Sequence, residues 1–242
     1  MGEVYLNNTF GAMLLGAVLT GCMYGVTTTQ TYTYFVMPGS VTDNKYLRML
    51  IFFLWTLDTF HTGVITAAAY AYLVTDFGNL LAASRPTWTI FPATVLSGGL
   101  SNGLVRSVLC YRVWCLSGRS WLLLIAFGTP VLVTMASTFA YAIMGIYIKS
   151  WLDLYKISWL LVFSFAWSMA ADVIISASLY VLLALRKTGF PSSDNIVRKL
   201  IIYSVNTGAI SSLCALLCLV TYVTMKEYFV FMPFYCVYPK RK

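Results

Sequence analysis

The chain has 242 residues, 60% of them hydrophobic and 10% charged, with a mean hydropathy of +0.78. A soluble globular domain carries about 25% charged residues, so this composition excludes one, together with disorder, a collagen-like repeat and a disulfide-rich secreted scaffold. Seven spans of about 25 residues would use about 175 residues. The remainder is too little for a soluble catalytic domain, and the expectation is one all-α polytopic transmembrane helix bundle over residues 1–242.

The apolar runs predict helices over about 10–36, 47–73, 88–114, 121–148, 157–185 and 200–224. A last apolar run, about 228–238, contains Pro233 and rises only about 16 Å, roughly half a hydrocarbon core. The seventh helix is therefore expected to be short or truncated. The first span has no basic segment before it and reads as a retained helix, not a cleaved signal. Of the 16 Lys and Arg residues, eleven fall on one side of this arrangement, four on the other, and Arg106 lies inside a span. That asymmetry places the N-terminus outside and the basic loops in the cytosol. The net charge of +8 then reflects topology and contact with membrane lipids, with no nucleic acid as partner. Trp88, Trp114, Trp121 and Trp151 mark span ends, as interfacial aromatics do.

Six cysteines occur without a C-x-x-C pair, four of them inside apolar runs, so they read as small packing residues and no metal site is expected. Asn7 heads an Asn-Asn-Thr sequon on the outer side and is a glycosylation candidate. Gly21 to Gly25 and Gly99 to Gly103 both read G-x-x-x-G, a spacing that lets two helices approach closely.

The polar residues inside the spans carry the functional signal: Asp58 and His61, Asn102 and Arg106, Asp172, and Asn206. An ionisable side chain at membrane depth costs at least about 2.5–3.5 kcal/mol, so each needs a partner or a wet cavity. Asp58 and His61 are three apart and share one helical face. By helical rise, His61 and Asp172 lie about 20 Å from the cytosolic charges, with Asp58, Arg106 and Asn206 nearer to them. This layering suggests an Arg106–Asp58 ion pair and a His61–Asp172 hydrogen bond as structural glue. The functional reading of the same six residues is a polar cavity for a ligand, ion or proton.

Specific signatures are absent. The last apolar run has no Lys for retinal, and no Walker loop, G-x-S-x-G or H-E-x-x-H occurs, so no catalytic residue and no cofactor is assigned. A distinctive series of stretches does occur in order: Tyr24-Gly25-Val26 through Gln30-Thr31-Tyr32-Thr33-Tyr34-Phe35, Trp55-Thr56-Leu57-Asp58-Thr59-Phe60-His61-Thr62, Tyr111-Arg112-Val113-Trp114-Cys115-Leu116-Ser117, Asp172-Val173-Ile174-Ile175 and Asn206-Thr207-Gly208. With these, the sequence resembles an uncharacterised seven-pass integral membrane family of mushroom-forming (agaricomycete) fungi. The resemblance implies seven helices, an outer N-terminus and no established activity. It also implies a Gln where Arg106 stands and a longer ending than Tyr238-Pro239-Lys240-Arg241-Lys242.

Three functional classes follow. The leading expectation is a receptor-like or binding bundle for a lipophilic small molecule, in the plasma membrane or endoplasmic reticulum. The second is a membrane accessory or transport protein of a fungal secondary-metabolite pathway. The third is a small membrane-embedded enzyme of the terpene-cyclase type, in which Asp58 and Asp172 would be the acids. Composition does not determine the oligomeric state.

Overall fold

A computed structural model describes residues 2–37, 45–75, 90–147, 158–185, 209 and 212–221. Among them the chain is all helical: α1 (Gly2–Val36), α2 (Lys45–Tyr70) running into a π-helical turn (Ala71–Thr75), α3 (Ile90–Leu116), α4 (Trp121–Ile146), α5 (Ser158–Leu185) and the short α6 (Ser212–Thr221). The five long helices coincide with the first five expected spans to within a few residues, except that α1 begins eight residues earlier. Most of the expected sixth helix and all of the seventh, 228–238, lie outside the described residues.

Three stretches are long and apolar enough to cross a membrane: Lys45–Thr75, Trp121–Ile146 and Trp159–Leu182, with hydropathies of 1.3, 1.9 and 1.8. Large apolar side chains also face outward, Leu122, Leu132 and Ile125 on α4 among them. These features suggest a membrane protein. Helices α1 and α3 are as long but more polar. In α1 the polarity is largely internal, because Thr27, Thr29, Thr31 and Thr33 each donate to the carbonyl four residues earlier.

Helix α3 is the hub, packing against α2, α4 and α5, while α1 leans on α2. The α3–α4 connection is a tight hairpin. Gly118 has φ +74°, a conformation natural to glycine, and the Arg119 N–H closes on the Trp114 carbonyl at 3.0 Å, as in a Schellman cap. In α4, Pro130 cannot donate to the Ala126 carbonyl, and the Thr129 hydroxyl donates there instead at 3.4 Å.

Two apolar clusters stack along the bundle. One joins Val95, Tyr141, Leu161, Phe165 and Cys218; the other joins Cys110, Val113, Phe127, Val131, Ile175 and Leu179. Cys110 and Cys218 pack as expected of small apolar residues, whereas Cys22 and Cys115 are exposed.

The two glycine motifs have different fates. A Cβ on Gly99 would lie 2.7 Å from the Thr138 methyl, and one on Gly103 would lie 2.6 Å from the Met135 sulfur. These glycines let α3 sit directly against α4. The other motif makes no such contact among the described residues: none of them lies within 4 Å of a Cβ on Gly21 or Gly25. The reason is rotational, since α1 turns Thr20 inward and leaves both glycines outside.

Thermal unfolding in detergent separates the two motifs. Gly99→Ala, against a stiff β-branched neighbour, should cost about 1–3 kcal/mol. Gly103→Ala should cost less, because the Met135 side chain can turn aside. Gly21→Ala and Gly25→Ala should be neutral or stabilising by up to about 1 kcal/mol through helix propensity.

Candidate functional site

Between the two apolar clusters lies a polar layer. Helix α3 carries Asn102 and Arg106 four residues apart, and α5 carries Ser164, Ser168 and Asp172 at the same spacing, so each helix turns a polar stripe to one side. The stripes meet. The Arg106 Nε donates to Asp172 Oδ1 at 2.8 Å and Nη2 donates to Oδ2 at 3.0 Å, a bidentate pair. Nη2 also donates to the hydroxyl of Ser168 and, at 3.3 Å, to its backbone carbonyl. Arg106 is 5% exposed and Asp172 8%, so the guanidinium is held inside the bundle and does not reach for the lipid surface.

This corrects two expectations. Arg106 pairs with Asp172, not with Asp58, and His61 contacts Ser97, not Asp172. Rise counted from the cytosolic charges placed Asp172 a layer away from Arg106, and rise carries no direction around the helix. At about 100° per residue, Ser97 lies about 180° around α3 from Arg106, and Ser101 about 140°. The face of α3 that meets α2 is thus nearly opposite the face that carries Arg106.

On that opposite face, His61 Nδ1 and Ser97 Oγ are 2.8 Å apart, and the Ser97 hydroxyl lies 3.1 Å from the Thr94 carbonyl. A hydroxyl has one proton. Given to Thr94, it leaves Ser97 to accept from His61 Nδ1; given to His61, it leaves the imidazole as acceptor. Asp58, Ser97 and Ser101 are buried beside it at 2–3% exposure. Two further bonds tie α1 to α2, between Tyr24 and Thr59 at 3.0 Å and from the Trp55 indole to Thr28 at 3.3 Å.

A cavity of about 60 Å³, partly open, sits among α3, α4 and α5. Arg106 and Ser168 lie at its polar end, Asn102 and Ser164 one turn away, and Val95, Leu161, Phe165 and Tyr141 beyond them. Gly98, Gly99 and Gly103 form the α3 wall. Thr134 and Thr138 complete the lining on α4, but their hydroxyls donate to Pro130 and Thr134 carbonyls of their own helix. Among the described residues the buried Ser164 Oγ has no hydrogen-bond partner.

Of the six singled-out residues, Asn102 and Arg106 line this cavity and Asp172 anchors it, while Asp58 and His61 belong to the α2 face. Asn206 lies outside the described residues, and Asn7 falls on the first turns of α1. Ser97, Ser164 and Ser168 were missed. The four-residue stripe Ser164-Ser168-Asp172 in an apolar helix was the signal that could have revealed two of them. No group of three His, Cys, Asp or Glu placed to hold a metal occurs among the described residues.

The description "family of unknown function (DUF6534)" applies to a family matching residues 168–241, from Ser168 in the middle of α5 onward. No curated protein and no solved structure matches the chain. The matched segment begins with the two residues that receive Arg106, Ser168 and Asp172.

Breaking the ion pair from one side strands a buried charge. Arg106→Met or Asp172→Leu alone should cost about 3–5 kcal/mol in detergent melts, and the double substitution much less. Combined with Asp58→Asn, Arg106→Met should show additive losses, because the two residues face different helices.

Proposed function

We propose that this chain is a multi-pass membrane protein that binds a lipophilic small molecule in the cavity among α3, α4 and α5. The observation that supports it most is the cavity itself: glycine-walled, partly open, with an apolar end and a polar end set by a neutralised ion pair. Resemblance to the seven-pass agaricomycete family and the skew of basic residues support seven spans with an outer N-terminus and cytosolic basic loops. The enzyme reading loses ground at Asp172, whose two oxygens both accept guanidinium N–H groups and so are not placed to hand over a proton.

Two measurements test this. A photoreactive diazirine-bearing long-chain hydrocarbon should label Val95, Leu161 and Phe165 saturably, and Thr134→Leu, which adds bulk to the lining, should abolish that labelling. Uniform, non-saturable labelling of lipid-facing residues alone would overturn the binding reading. A reporter fused after Lys242 should be cytosolic. An outer location, with residues 186–199 still cytosolic, would mean that the last segment does not span.

A further inference from the structure

The hydrogen-bonding state of the cavity narrows the ligand. Arg106 on its lining and Asp172 behind it neutralise each other through two parallel bonds. A charged ligand would therefore add an uncompensated charge in a buried place. The threonine hydroxyls have given their protons to carbonyls of their own helix. What is left at the level one turn from the ion pair is a pair of neutral groups from facing helices, Asn102 and Ser164, both on the lining. Among the described residues the Ser164 Oγ is buried without a partner, and the half-buried Asn102 amide makes no hydrogen bond to any of them. A buried polar group left unsatisfied costs about 1–3 kcal/mol, so Ser164 favours whatever satisfies it, and the Asn102 amide lines the same space.

We infer that the cavity takes the hydroxyl head of a lipophilic primary alcohol, seated between Ser164 and Asn102, with its tail leaving through the open side. The inference rests on the binding reading above. A hydroxyl both donates and accepts, matching a serine that can do either and an amide that offers two donors and an acceptor. A carbonyl could only accept and would leave the Asn102 oxygen unmet. The cavity, about 60 Å³ and partly open, is well under the roughly 150 Å³ of an apolar cavity that binds benzene. It admits a hydroxyl and its first carbon but not a ring, and the apolar wall of Val95, Leu161 and Phe165 meets the start of the tail.

Four diazirine probes of equal chain length test the assignment in the full-length protein in detergent: a primary alcohol, the parent hydrocarbon, a carboxylate and an amine. The alcohol should saturate cavity labelling at a concentration about tenfold or more below the hydrocarbon, with both charged probes weaker than the alcohol. Ser164→Ala and Asn102→Leu should each remove most of the alcohol's advantage, with melting temperatures reporting that the fold persists. Ser178→Ala, on an exposed part of α5, should keep it. Equal labelling by all four probes, or preference for the carboxylate, would overturn the alcohol assignment while leaving a lipophile site in place. Absence of saturable cavity labelling by any probe would overturn both, leaving a cavity that holds only water.

Discussion

The constraint on which the described bundle depends is the burial of one guanidinium. Arg106 cannot stay inside an apolar bundle alone, and Asp172 with Ser168 meets it through a bidentate pair and two further bonds. Such a pair is weak evidence of net stability, because desolvating both ions offsets much of their attraction. Its stronger effect is geometric. It sets the rotation of α3 against α5, and with that rotation fixed the other faces of α3 are assigned. Gly99 and Gly103 meet α4, and Ser97 meets His61 on α2.

Helix α3 therefore has to satisfy three neighbours with one surface, which accounts for its composition. A helix packed on several sides needs small residues where backbones approach, polar residues where a buried partner waits, and apolar residues at the ends. Glycines at 98, 99 and 103, Asn102 and Arg106, and Val95, Cys110 and Val113 answer those three demands in turn. The cavity follows from the same arrangement. It is walled by glycines of α3 next to a polar layer, with apolar residues of both clusters on its lining.

The two polar sites of the bundle differ in kind. At Arg106 and Asp172 opposite charges are paired and further secured by a serine. On the α2 face, His61 Nδ1 and the Ser97 hydroxyl share a hydrogen bond, with Asp58 buried close by along the same helix. Only the first borders the cavity. A ligand there would meet neutral hydrogen-bonding groups near a charge-balanced wall, an environment suited to an uncharged lipophile.

Helix existence and extent were legible in the sequence, because a long apolar run is a local property and the described helices follow it closely. So were the candidate residues Asn102, Arg106 and Asp172, since a polar side chain in an apolar run stands out wherever it is. Their partners were not legible. Spacing gives depth at about 1.5 Å per residue, and by that count Asp58, not Asp172, lay nearer the level of Arg106. Which acid Arg106 meets, which glycine motif is used and which serines matter depend on the azimuth of each helix against its neighbours. Azimuth is set by packing among residues far apart in sequence, so only the tertiary structure decided it.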